Sequence, residues 1–298
     1  MRSASDRSSR GLKWYAAPDM ARPPSSARRC RIDAARLTPP LRRLWRIPRM
    51  LAHLVRGLCT IWFVFPSLDA HARRARVRSW SRRLLHLMGI DIRMTGTLVH
   101  PNVMVVANHV SWLDIFALHA AGPVRFIAKA EIERWPVLGR LVGGVGTLFI
   151  ERARRHDTHR VNQEVAKALD AGDIVAVFPE ATTSDGTSVL PFKGSLLQPI
   201  VDAAGTVQPV AIRYRTRTGL RSTVPAYVDD VTFVGSFWRV SGAAELVVDI
   251  VAAKPLPAQG KHRRELAQQA EEIIRSALAS PWSGSAPGRP AGLASELP

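Results

Sequence analysis

Short apolar runs rich in β-branched residues alternate with stretches of helical periodicity along most of this chain, and this alternation limits its fold more than any other feature. The runs are MVVAN at 104–108, VRFIAK at 124–129, TLFIE at 147–151, DIVAVFPE at 173–180, VQPVAIRY at 207–214 and ELVVDIV at 245–251. Predicted helices lie between them at 111–121, 135–144, 158–171, 194–204 and 262–278; Gly172 gives the third a C-cap signal. Strands that are apolar on both faces need cover on both, and helices inserted between successive strands supply it. The expectation is an α/β fold, a central mostly parallel sheet flanked by helices. A chain of 298 residues, 46% of them hydrophobic, can form one such core with an appended segment.

The appended segment is N-terminal and basic. Of a net charge of +18, residues 1–95 carry +16, from 21 Lys or Arg against 5 Asp or Glu. Such an extension is drawn to a polyanion, and neighbouring hydrophobicity selects an anionic membrane surface over nucleic acid. Residues 51–68, LAHLVRGLCTIWFVFPSL, hold an uninterrupted apolar run from Gly57 to Pro66. A span needs roughly 20 apolar residues, so an interfacial or hairpin membrane segment is expected. From Ala75 to Met88, Val77, Trp80, Leu84 and Leu87 recur at helical spacing among arginines, the pattern of a helix lying on anionic lipid. The expected divisions are a disordered basic extension at 1–45, a membrane-associated helical segment at 46–95, a catalytic domain at 96–280 and a disordered tail at 281–298. Cys30 and Cys59 match no metal or redox spacing, so no metal, disulfide framework or bound cofactor is expected.

The strongest chemical signal is NHVSWLD, where Asn108 and His109 follow a strand and Asp114 stands five residues after the histidine. In a regular helix five steps of about 100° leave side chains some 140° apart, so the pair meets only if His109 lies in the turn before the helix. Ser111 is then a candidate N-cap. A carboxylate on one ring nitrogen fixes the tautomer while the other nitrogen takes a proton, which is what activating an alcohol requires. GTLFIER at 146–152, VFPEATTSDG at 177–186 and LPFKGS at 190–195 each end in polar residues suited to an anionic head group. Lys193 precedes a predicted helix, where a cation and open backbone amides jointly suit a phosphate. Lys129 is a weaker candidate of the same kind, and His119 reads as a core histidine.

The order NH-x4-D, G-x-x-F-I-x-R, F-P-E and a Pro-Val strand resembles the lysophosphatidic acid acyltransferase family, over roughly Leu51 to Leu278. The resemblance implies a glycerolipid-acyltransferase-like domain and direct transfer of an acyl group. His109, paired with Asp114, deprotonates the acceptor hydroxyl, which attacks the thioester of acyl carrier protein or coenzyme A as co-substrate. By the same resemblance Gly146 and Arg152 bind the acceptor, and Phe178, Pro179 and Glu180, with Thr182 and Thr183 after them, shape its pocket. The implied location is the cytoplasmic face of the inner membrane.

The chain departs from the family where F-P-E usually continues G-T-R. Ala181 replaces the glycine, which predicts an ordinary backbone conformation there. Thr183 replaces an arginine, which weakens selection for a phosphate monoester. The T-T-S-D-G continuation resembles the branch that acylates lyso-ornithine lipid, with Asp185 facing an ammonium, although Asp-Gly is also a strong turn pair. Lysophosphatidic acid is the leading acceptor and lyso-ornithine lipid the alternative. Readings of another class are a serine hydrolase, which lacks its G-x-S-x-G elbow here, and a non-catalytic lipid-binding scaffold.

Overall fold

The computed structural model describes residues 40–99, 101–129, 138–145, 147–150 and 155–280. Helix α1 (Pro40–Cys59) continues through a π-turn and a 3-10 turn to Ser67, and α2 (Ala70–Leu87) follows, capped by Asp69, whose carboxylate accepts Ala72 N at 2.7 Å. Then come β1 (Ile90–Thr95), β2 (Val103–Ala107), α3 (Leu113–Ala121), β3 (Val124–Lys129), α4 (Leu138–Gly144), β4 (Leu148–Ile150), α5 (Arg155–Asp170) and β5 (Ile174–Val177). A 3-10 turn at Gly194–Leu197 leads into α6 (Gln198–Asp202), followed by β6 (Thr206–Thr216), α7 (Phe233–Ser241), β7 (Leu246–Ala252), β8 (Leu256–Pro257) and α8 (Arg263–Ala279).

The strands form one sheet in the order β1-β7-β6-β2-β5-β3-β4, with β8 paired to β6. Every pairing is parallel except β6 with β7 and β6 with β8. The expected mostly parallel sheet is present. All five residues of β2 are buried because the pleat sends alternate side chains to two cores. Val103, Val105 and Ala107 join the layer holding Leu84, Leu118 and Val240. Met104 and Val106 join the opposite layer with Val165, Leu169 and Leu266.

Three features of the N-terminal half differ from expectation. Helix α1 starts at Pro40, inside the stretch expected to be disordered; residues 1–39 and the tail from 281 lie outside the described residues. The continuous helix Arg43–Ser67 is 25 residues long with a mean hydropathy of 1.3 in its best window, long and apolar enough to cross a membrane. It nevertheless packs along the domain, with Met50 and Phe65 buried and His53 stacked on Trp80 at 4.9 Å. Helix α2 turns Leu84, Leu85 and Leu87 into the core rather than toward lipid, and Arg78 and Arg82 donate to the carbonyl of Ala120 at the end of α3. Finally, β1 lies within the segment expected to be membrane-associated but is a strand of the sheet, parallel to β7.

Candidate active site

The site lies in the middle of the sheet, past the C-terminal ends of β2 and β5 and beside β6. Past Ala107, the last β2 residue paired with β6, Asn108 substitutes its side-chain amide for the next ladder rung. Its Oδ1 accepts Ile212 N at 2.7 Å and its Nδ2 donates to Ile212 O at 3.0 Å. The backbone is thereby released to turn while remaining tied to β6.

Residues 109–112 form that turn before α3 begins at Leu113, as the five-residue spacing requires. The Ser111 hydroxyl accepts Leu113 N at 3.3 Å, one residue ahead of the cap position held by Trp112. Asp114 is fully buried and reaches back. Its Oδ2 accepts Val110 N at 2.7 Å and Ser111 N at 2.8 Å and pairs with His109 Nδ1 at 2.9 Å. Its Oδ1 accepts the Tyr214 hydroxyl at 2.7 Å. Burial, the charge of Asp114 and this hydrogen bond hold the Tyr214 hydroxyl well above the usual phenol range, so it remains a donor.

The His109 ring lies nearly flat on Phe178, with centroids 4.0 Å apart and planes 12° apart, and Phe178 stacks in turn on Phe126. With Nδ1 directed to Asp114 and one face covered, Nε2 is the nitrogen left to take a proton from a substrate. Glu180 secures the turn from the β5 side. Its Oε1 accepts His109 N at 2.8 Å and its Oε2 accepts Leu190 N at 3.2 Å. Burial raises the Glu180 carboxyl above its ordinary value, opposed by these two amide bonds. Glu180, expected near the polar group of an acceptor, bridges two backbone segments.

The remaining sequence candidates have distinct fates. Ala181 has φ of +59°, so the expectation of ordinary backbone there is overturned. Ala181 takes the left-handed region without being glycine, between Ala181 N bonded to Phe178 O and Ser184 N bonded to His109 O. Thr183 donates its hydroxyl to the Tyr227 carbonyl, and Tyr227 N donates to Val110 O at 3.0 Å, so this loop is latched to the catalytic turn. Thr182 is exposed. Asp185 accepts Thr187 N at 2.8 Å and so serves its own turn. Lys193 is exposed, and its backbone amide donates to Pro179 O at 2.9 Å. Gly146 and Arg152 lie outside the described residues. Lys129 closes β3. His119 is a core residue, edge-on to Phe126, with Nε2 unpartnered; burial lowers its pKa to about 4.

Sequence reasoning missed Tyr214, although the run VQPVAIRY contains it. A phenol in a buried strand is a signal, because its hydroxyl must find a partner. An apolar pocket of about 60 Å³ is lined by Ile115, Phe116 and His119 of α3, Val77 and Trp80 of α2, and Ile61.

A model of the Acyltransferase family matches residues 91–213, which contain both His109 and Asp114. The chain is 45% identical over 183 residues to a 1-acyl-sn-glycerol-3-phosphate acyltransferase of Neisseria gonorrhoeae, covering 60% of this chain and 71% of that protein. It is 36% identical over 244 residues to a lyso-ornithine lipid O-acyltransferase of Pseudomonas aeruginosa, covering 80% of this chain and 94% of that one. The fold matches the crystal structure of a 1-acyl-sn-glycerophosphate acyltransferase from Thermotoga maritima with a TM-score of 0.59 and 22% identity, covering 80% of this chain and 96% of the other. The chain belongs to the lysophosphatidic acid acyltransferase family, which takes in the lyso-ornithine lipid branch, and is an acyltransferase.

Proposed function

We propose that this enzyme transfers a fatty acyl group from the thioester of acyl carrier protein or coenzyme A to the hydroxyl of a lysolipid at the cytoplasmic face of the inner membrane. The observation that carries the reading is His109, its Nδ1 held by a carboxylate that itself receives three further donors. His109 Nε2 takes the proton of the acceptor hydroxyl, and the oxygen attacks the thioester carbonyl. The tetrahedral intermediate collapses with release of the thiolate, to which the imidazolium returns the proton. Asp114 stabilises the imidazolium and does not leave its place. Positioned base catalysis of this kind is typically worth about 10²–10⁴ in rate. The apolar pocket between α2 and α3, lined by Ile115 and Phe116, is suited to part of the acyl chain.

Lysophosphatidic acid is the proposed acceptor, in keeping with the similarity to the Neisseria protein, with Arg152 and Lys193 as the cations for its phosphate. A second reading, lyso-ornithine lipid, is favoured by Thr183, whose hydroxyl is already bound to Tyr227 O and which offers no charge to a phosphate. Helix α1, packed along the domain with an outward apolar side, suits a segment lying in the membrane interface. The experiment is acyl transfer by membranes containing the protein, with both acceptors offered in parallel and His109→Ala as control. Phosphatidic acid formation lost in the control supports the first reading and ornithine lipid formation the second. Undiminished turnover by His109→Ala would refute the mechanism.

A further inference from the structure

Helix α7 has no predicted counterpart in the sequence, and its outer side is wrong for water. It begins at Thr232, whose hydroxyl accepts Gly235 N at 3.1 Å. Its inner side is well packed. Ser236 and Val240 are fully buried, and Phe233 meets the Trp112 ring at a centroid distance of 5.1 Å. Trp112 Nε1 donates to Ser236 Oγ at 3.1 Å. On the outer side stand Val234 and Trp238, four residues apart and therefore on one face, 74% and 54% exposed. A helix on the surface of a soluble domain normally turns polar residues outward.

Helix α1 lies against α7. The Arg43 guanidinium sits 4.9 Å over the Trp238 ring, and Arg46 donates to the carbonyls of Ser241, Ala243 and Ala244 where α7 ends. Leu44, Leu51 and Val55 are exposed on α1. At about 100° per residue the steps of seven and four residues keep these three within a stripe about 40° wide. Arg43 makes no ion pair among the described residues; Arg239 on α7 is turned inward and donates to Ala226 O. Aliphatic side chains, a tryptophan and the unpaired cation of Arg43 over it together match a bilayer interface carrying anionic head groups.

We propose that α7 is a second membrane-contacting element, with Val234 and Trp238 entering the interface of an anionic bilayer beside the apolar stripe of α1. The inference rests on the lysolipid reading above for the identity of its occupant. Its consequence is positional. Trp112 links α7 to the turn that carries His109, so the catalytic histidine is held a few residues from the lipid surface that supplies the acceptor.

The test uses the full chain with Cys30 and Cys59 replaced by serine and a single nitrobenzoxadiazole label on Trp238→Cys. A second protein carries the label on Gln268→Cys, at an exposed position of α8 on the opposite side of the sheet. Vesicles of phosphatidylcholine with phosphatidylglycerol are added, and then the same vesicles carrying a spin-labelled quencher lipid. The expected result is a blue shift and at least about a twofold rise in emission at position 238, quenched by the spin label, with no change at 268. A water-like signal at 238 with the protein bound to the vesicles would overturn the proposal and leave docking to α1 alone. A shift on raising protein concentration without vesicles would also overturn it, in favour of a second copy of the chain as the occupant. Acyl transfer is measured on a Val234→Asp/Trp238→Asp protein, without label, with acceptor in vesicles and with a short-chain acceptor free in solution. Loss confined to the vesicle acceptor is expected, and equal loss on both counts against docking. Acylation of neither acceptor by the unmutated chain, with the 238 label still inserting, would sink the lysolipid reading and not the docking.

Discussion

Tyr214→Phe removes one oxygen and its proton and leaves the ring in place. Tyr214 is buried on β6, and its hydroxyl is the sole donor among the described residues to Asp114 Oδ1, at 2.7 Å. The other carboxylate oxygen takes His109 Nδ1 and the amides of Val110 and Ser111. A hydrogen bond to a charged group contributes about 1.5–3 kcal/mol net, and the partner left behind here is a fully buried carboxylate. At about 2–4 °C per kcal/mol for a domain of this size, Tm should fall by about 3–12 °C. Without its Oδ1 anchor the carboxylate is held through Oδ2 alone, and His109 loses part of its fixed orientation. A fall in kcat of about tenfold is expected, within the about 10²–10⁴ that a positioned base supplies. KM for the acceptor should not change, because the buried phenol touches no substrate. Steady-state transfer, followed by release of free thiol, and thermal unfolding of the same preparation measure the two effects. An unchanged Tm with unchanged kcat would refute the anchoring role. A raised KM at constant kcat would place Tyr214 in the acceptor pocket instead.

The neutral form of His119 is favoured by burial, with a pKa of about 4 against 6.5 in the unfolded chain, so the unfolded chain binds the proton more tightly. Its contribution to stability is complete above about pH 6.5 and is lost as pH falls toward 4, by about 2 kcal/mol between pH 7 and pH 5. Denaturant unfolding at the two pH values should show this loss in the parent and not in His119→Leu; equal losses in both would contradict it. Ala181→Gly relieves a left-handed alanine that costs roughly 1 kcal/mol, so Tm should rise by about 2–4 °C, and a lower Tm would argue against that backbone. In Glu180→Gln an amide nitrogen faces one of the two backbone donors, His109 N or Leu190 N, at a cost of about 1–3 kcal/mol. Stability and kcat should fall together, whereas a rise in KM alone would make Glu180 a contact of the acceptor.

The layered sheet was legible because β2 and β5 are apolar on both faces and so declare cover on both sides. The pairing of His109 with Asp114 was legible for a geometric reason, since a spacing of five residues brings them together only across a turn. Other features depend on chain segments distant in sequence. Tyr214 lies 100 positions from Asp114, and nothing local to VQPVAIRY marks that partner. Glu180 reads as a site carboxylate by its motif and becomes a bridge only when residue 109 and residue 190 are folded around it. Strand β1 alternates Ile90, Ile92 and Met94 with polar residues, but an arginine-rich helix precedes it and masks the change of period. Helix α7 is too short and too aromatic for a clear helical period, with Gly235 inside its first turn.

Ala181 and Thr183 carry the same lesson toward specificity. Read as letters in a motif, Ala181 for glycine predicts a relaxed backbone and Thr183 for arginine a lost phosphate ligand. In the folded chain the left-handed turn at 181 persists without glycine, between the backbone bonds to Phe178 O and His109 O. Thr183 has acquired a structural duty, joining Tyr227 O while Tyr227 N holds Val110 O. A charge placed at 183 would therefore have to break the latch that seats the catalytic turn before it could reach an acceptor. A change at residue 183 accordingly reaches the 222–231 segment through Tyr227 as well as the loop that carries it.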